Sequence, residues 1–223
     1  MAKNNNIIYF GVGAVIGVTA LFFLLRKLLV KYRVVSVAKK EWQGWGSPTI
    51  QKDGKQTRKG GFEADRGFSE RVGEYWKVGT GQNLTGKDTD VAWSSAFISY
   101  IMKKGGAGKK FVYNPSHSKY ITDSISNRKR GLVQKPFVGY KLNEYAPKVG
   151  DLVCYSRQNG VDYDSKYPYK SHCDLVVATR PNEIEVIGGN VNNAVTKKII
   201  STNNKGFITD KKYDWFTVIK TNI

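Results

Sequence analysis

The hydrophobic positions of this chain change their period along its length. Ile7 to Leu25 is nineteen residues without a charge, rich in Ile, Val, Leu and Phe. At about 1.5 Å per residue a helix of that length reaches roughly 28 Å, close to the hydrocarbon thickness of a bilayer, so a transmembrane helix is expected there. Arg26-Lys27 follows directly, where a cleaved signal peptide would run into small residues, and this favours a retained anchor. Beyond it, Val35, Ala38 and Trp42 fall near one face of a helix over 34–42. Residues 43–67 read as a loop, punctuated by Gly44, Gly46, Pro48, Gly54, Gly60, Gly61 and Gly67.

From Phe68 the pattern becomes that of a folded domain. Phe68, Val72, Tyr75 and Trp76 form one helical stripe that ends before Gly79, and Gly81 to Asp90 is turn-like. Trp93, Ala96, Phe97, Tyr100 and Ile101 predict a second helix of about twelve residues, opening near Ala92 and stopping at Lys103-Lys104-Gly105-Gly106. The second half is strand-like. The runs are Gly150 to Tyr155, Cys173 to Thr179, Glu183 to Ile187, Val195 to Ile200 and Trp215 to Thr221, with Arg180-Pro181-Asn182 as a hairpin turn. Helices first and an antiparallel meander after them predict an α+β domain. The expected organisation is a transmembrane anchor with a basic flank over 1–33, a helix and glycine-rich linker over 34–67, and one domain over 68–223.

Charge narrows the partners. The formal net charge is +18, from 36 Lys and Arg against 18 Asp and Glu. Residues 1–33 carry five basic and no acidic groups, and 91–150 carry eleven against two, while 34–90 and 151–223 are each ten against eight. A basic surface of this kind attracts anionic lipid, an anionic polymer such as a bacterial wall, or nucleic acid without sequence preference. The chain has no RNP signature, zinc-finger spacing or basic region feeding heptads, which argues against sequence-specific nucleic-acid binding. Glycines at 11, 13 and 17 leave a small-residue face on the apolar segment, a candidate surface for homo-oligomer packing.

Candidate chemistry sits at three places. Ser94 lies in the first turn of the second helix, where unpaired N–H groups and the positive end of the dipole stabilise a developing anion. His172 and Asp174 are two apart on a strand and so share a face. Asn190 follows Gly188-Gly189 on the next strand. Nucleophile, base and orienting amide in that order are what acyl transfer needs, with His172 as base and Asn190 holding its ring. Asp174 is an alternative orienter or a contact for a substrate amine, and Trp93 and His117 are candidate substrate contacts. No metal or cofactor is expected, since the two histidines and two cysteines, at 117, 154, 172 and 173, lack a paired ligand spacing. Cys154 and Cys173 pack in the core, or pair if their strands are neighbours.

The segments Arg71 to Trp76, Thr85 to Tyr100, His117 to Ile121, Gly150 to Tyr155 and His172 to Val177 resemble the bacterial and phage domain family DUF2272, over roughly Phe68 to Thr221. That family in turn resembles the CHAP and NlpC/P60 papain-like amidases and peptidases of peptidoglycan. In the CHAP-like pattern a Trp-Cys-Ala-Ala-Phe helix start is followed by a Gly-His strand and a Gly-Gly-Asn strand. Trp93-Ser94-Ser95-Ala96-Phe97, His172 and Gly188-Gly189-Asn190 sit at the corresponding places. The resemblance implies a papain-like domain with helices packed on an antiparallel sheet, and a peptidoglycan hydrolase that cuts an amide or peptide bond.

One departure stands out: serine occupies the position of the cysteine nucleophile. A thiol beside a histidine ionises readily, whereas a hydroxyl needs the base in the transition state itself. Three readings follow: a working serine nucleophile, a wall-binding or structural membrane protein that has lost hydrolysis, or chemistry carried by other residues. Because only Lys3 precedes the apolar run, the positive-inside rule puts the domain in the cytoplasm, which is awkward for wall degradation. A phage protein lodged in a viral internal membrane or the host inner membrane would reconcile the two, as a single-pass, virion-associated lytic enzyme with the bilayer gripped by residues 7–25.

Overall fold

Helix α3 (Ser94–Gly105) has every residue from Ser94 to Met102 buried, as expected of a helix enclosed by other elements rather than lying on a surface. The computed structural model describes residues 29–223. Helix α1 spans 29–44 and α2 spans Phe68–Thr80; α2 packs on α3, and Arg33 Nε of α1 donates to the Gly105 carbonyl at the end of α3 at 3.2 Å. Arg71 and Tyr75 of α2 converge on the buried carboxylate of Glu41 in α1, and Trp45 Nε1 donates to the Tyr75 hydroxyl at 2.9 Å. A fourth helix, α4 (His117–Lys129), follows the loop after α3. Its polar run gave no apolar stripe in the sequence, and it packs mainly on strand β3.

The strands are β1 (Thr49–Ile50), β2 (Gln56–Arg58), β3 (Phe137–Tyr140), β4 (Leu152–Ser156), β5 (Ser171–Arg180), β6 (Glu183–Val191), β7 (Ala194–Ser201) and β8 (Asp214–Thr221). They form one eight-stranded sheet in the order β2-β1-β7-β6-β5-β4-β8-β3. The expected meander is present in β4 to β7, and β8 returns to lie beside β4. The sheet is mixed, not antiparallel as expected, because β1 runs parallel to β7 while its other pairings are antiparallel. Residues 34–67, expected as a helix and a linker, are therefore built into the domain: Trp45 is fully buried and the β1-β2 hairpin extends the sheet edge.

Strand alternation divides the apolar residues between two cores. Leu152, Cys154, Cys173, Leu175 and Ile187 face the helices and pack with Trp76, Trp93, Phe97 and Ile98. Val153, Tyr155, Val176, Val186, Trp215 and Val218 form the core of the opposite face, closed over by Leu142, Tyr145, Ile208 and Tyr213. Asp151 ties the start of β4 to the rest, accepting from the Lys148 and Thr221 backbone N–H groups at 2.9 Å each and from the Tyr145 hydroxyl at 3.0 Å. The Gly150-Asp151 motif is thus a structural clasp.

The expected membrane helix is corrected. Among the described residues no helix is long and apolar enough to cross a membrane. The segment 7–25, with its glycine face and its proposed grip on the bilayer, lies outside the described residues. The fold class is an α+β domain on a mixed sheet, and the single-pass location is not retained.

Candidate active site

Three interactions fix the head of α3. Trp93, the residue before Ser94, stacks on Trp45 with ring centroids 5.5 Å apart, and its Nε1 donates to the buried carboxylate of Glu63. With its carboxamide oriented to satisfy both neighbours, Asn190 accepts from the Trp93 backbone N–H at 3.2 Å and donates to Glu63 at 3.3 Å. Gly189 makes this approach feasible, since an added Cβ would lie 2.4 Å from Phe97 Cβ. Ser94 is thereby held at the first position of α3, where the amides of the opening turn have no acceptor within the helix.

The side chain that meets Ser94 is His117. Ser94 Oγ and His117 Nε2 are 2.7 Å apart, and the other ring nitrogen, Nδ1, is hydrogen-bonded to the hydroxyl of Tyr120. His117 opens α4, so His117 and Tyr120 are three apart on one helix face. The loop before α4 is pinned to α3, because Ser95 Oγ donates to the Asn114 carbonyl at 2.8 Å and Asn114 Oδ1 accepts from the Ser116 N–H at 2.9 Å. Burial, and then the neighbouring His172, hold the His117 proton affinity well below the ordinary histidine range. The ring is neutral near pH 7, and in the tautomer with its proton on Nδ1 the Ser94 hydroxyl donates to Nε2 and Nδ1–H donates to Tyr120. Burial likewise keeps the Tyr120 phenol protonated.

His172 and Asp174 do share a face of β5, with His172 Nε2 3.0 Å from Asp174 Oδ1. Gly188 on β6 leaves room for that pair, since a Cβ there would stand 1.9 Å from Asp174 Oδ1. On its far side Asp174 faces Lys198 Nζ at 2.7 Å, too poorly aligned for a good hydrogen bond and so an ion pair. The ammonium is enclosed by Tyr213, Tyr155 and Trp215, at 4.4, 4.7 and 5.8 Å from the ring centroids. Burial pushes the Asp174 carboxyl up, but Lys198 and His172 outweigh it and hold the group at about 2. Burial lowers His172, partly offset by Asp174. The rings of His117 and His172 are 5.2 Å apart, and His172 Nδ1 is buried without a partner among the described residues.

The structure therefore redistributes the expected roles. Ser94 is joined to His117, which was expected as a substrate contact, and not to His172. Asn190 does not orient His172. The β6–β7 register shifts between Gly188 and Val191, and Asn190 takes a left-handed φ of 53°, which turns its side chain to the Trp93 side. Trp93 is 1% exposed, with its ring packed in the core at the head of α3. Asp174 is fully buried and lies between His172 and Lys198, away from solvent. Glu63, Tyr120 and Lys198 were missed; only the three-residue spacing of His117 and Tyr120 offered a signal.

Above Ser94 and His117 opens a cleft of about 510 Å³, lined also by Asp90, Ala92, Pro115, Ser116, Arg157, Tyr169, Lys170 and Ser171. Cys154 and Cys173, directly opposite on β4 and β5, form a disulfide next to His172 and Asp174. Among the described residues no group of three His, Cys, Asp or Glu side chains could hold a metal ion.

A family model described as an uncharacterized protein conserved in bacteria (DUF2272) matches residues 63–221, more than half of the chain. No curated protein and no solved structure matches.

Proposed function

The chain belongs to the DUF2272 family, and from the geometry of its cleft we propose that it is a serine hydrolase of amide or peptide bonds, acting on peptidoglycan. The observation that carries the reading is the 2.7 Å contact between Ser94 Oγ, at the head of α3, and an imidazole kept neutral by burial, the two residues 3% and 4% exposed and lining the floor of a cleft. The wall as substrate comes from the resemblance to the CHAP and NlpC/P60 enzymes, and a basic cleft suits an anionic polymer.

In this reaction Ser94 Oγ attacks the scissile carbonyl carbon while its proton passes to His117 Nε2. The reaction uses the tautomer with the ring proton on Nδ1, bonded to the Tyr120 hydroxyl, which leaves Nε2 free to accept; Tyr120 then stands where a carboxylate stands in the Ser-His-Asp triad. The first amides of α3 stabilise the oxyanion. His117 then gives its proton to the departing amine, the C–N bond breaks, and an ester on Ser94 remains. Water, deprotonated by the same nitrogen, hydrolyses that ester.

A second reading keeps His172 as the base, favoured by its orientation through Asp174 and its unpaired Nδ1 beside His117. Incubation with purified wall, followed by mass analysis of released fragments, tests both. New free amines from wild type, their loss in Ser94→Ala and His117→Ala, and residual turnover in His172→Ala support the first. Residual turnover in His117→Ala with none in His172→Ala transfers the role to His172, and no product from any form removes the hydrolase reading.

A further inference from the structure

We infer that the substrate carries a carboxylate beside its scissile bond, and that Arg157 and Lys170 are the clamp that holds it. The inference rests on the cleft being the site of hydrolysis, and it adds the charge of the group bound there.

The two residues stand opposite each other where β4 and β5 run out. The ladder pairs Ser156 with Ser171, and one step further Arg157 N–H donates to the Lys170 carbonyl at 3.0 Å. Like charges directly opposite on neighbouring strands cost free energy. Some exposed cations of the domain have carboxylate neighbours, as Arg180 has Glu185 at 2.9 Å and Lys129 has Asp164 at 2.6 Å, while others such as Lys39, Lys77 and Lys135 have none among the described residues. What sets Arg157 and Lys170 apart is their place opposite each other at the cleft. Arg157 and Lys170 have no ion-pair partner among the described residues. Both line the cleft with Ser94 and His117, and Asp90 is the one acid among the residues that do.

The Arg157 charge reaches the reacting groups, since it lowers the proton affinity of both His117 and His172. A guanidinium presents parallel donors that match a carboxylate bidentately, and an ammonium beside it adds charge without geometric demand. An anion between them offsets the repulsion of the empty clamp and fixes the substrate relative to Ser94 Oγ. A peptide or aminoacyl amide with a free carboxylate next to the bond cut meets this description, and its fully amidated counterpart does not.

The test is calorimetric titration of full-length Ser94→Ala protein with soluble muropeptides, native or with their carboxylates converted to carboxamides. The clamp predicts at least tenfold tighter binding of the native form. It also predicts that adding Arg157→Gln and Lys170→Gln to the Ser94→Ala protein brings both ligands to the same, weaker affinity, with the melting temperature of the free protein equal or slightly raised as the repulsion is removed. Equal affinity in the parent, binding of neither ligand, or a preference that survives both substitutions overturns it. The two proposals fail separately. A protein that selects the carboxylate yet releases no amine from wall keeps the clamp and loses the hydrolase. One that cuts native and amidated substrates alike does the reverse.

Discussion

Ser94 and His117 are 23 residues apart in the chain and 2.7 Å apart in space, each the first residue of its own helix. The pairing places a hydroxyl in the field of one helix head and brings an imidazole to it from another, so that the two groups are fixed by backbone as well as by their mutual hydrogen bond. Ser94→Ala is expected to lower kcat/KM on wall substrate by at least about 10³-fold, and His117→Ala by about 10²–10⁴-fold, as for removal of a general base. Tyr120→Phe gives a smaller loss, because Nδ1–H loses its acceptor while Nε2 stays in place. Steady-state kinetics on the three variants, with melting temperatures alongside, checks the order.

The acidic limb of the pH–rate profile should lie below the ordinary histidine value of 6.5. His117 acts as a base only when neutral, and burial followed by the nearby His172 depresses its proton affinity, so activity persists below pH 6.5 and falls as pH drops through the folded-state value. A limb at or above 6.5 in kcat/KM contradicts this.

Stability should fall in the same direction. The folded-state values of His117, His172 and Asp174 are all depressed, so each stabilises the fold above its unfolded-state value and loses that contribution as pH falls through the folded one. For Asp174, held at about 2 against 3.8, the contribution is on the order of 2 kcal/mol, lost between about pH 4 and pH 2. Urea unfolding from pH 7 to pH 2 reads the Asp174 contribution as a falling midpoint below about pH 4, and a midpoint flat over that window would count against the buried pair.

Lys198 is the counter-ion of a carboxylate with no access to water. Lys198→Met leaves that charge unpaired and should destabilise by about 3–5 kcal/mol, whereas Lys198→Met with Asp174→Asn recovers part of the loss because no buried charge remains. Chemical denaturation of the two variants separates the cases.

Reduction of the Cys154–Cys173 bridge, which closes a loop of sequence separation 19, should cost about 3 kcal/mol by the loop-entropy estimate. Thermal unfolding with and without a reductant measures it. A melting temperature unmoved by reduction would leave the β4-β5 pair held by its ladder and packing alone.

What the sequence disclosed followed from periodicity. The α3 stripe from Trp93 to Ile101 and the apolar runs of β4 to β8 placed the helix head and the sheet, because burial on one face leaves a regular trace. Strand alternation put His172 and Asp174 on one face, as found. Asn190 was misassigned because a register shift reverses alternation without marking the sequence. Helix α4 went unseen because its residues are mostly polar, and with it went the approach of His117 to Ser94. Glu63 and Lys198 lacked any pattern: one lies in a stretch that reads as linker, and the other is a lysine whose burial depends on Asp174 and three aromatic rings distant in sequence.

The central claim is that Ser94 is a nucleophile activated by His117. Treatment of the full chain with a fluorophosphonate, followed by peptide mass analysis, tests it most directly. A single adduct on Ser94 of wild type, formed at least about 10²-fold more slowly in His117→Ala, is the predicted result. Absence of the adduct from folded wild-type protein, or an unchanged labelling rate in His117→Ala, would contradict it.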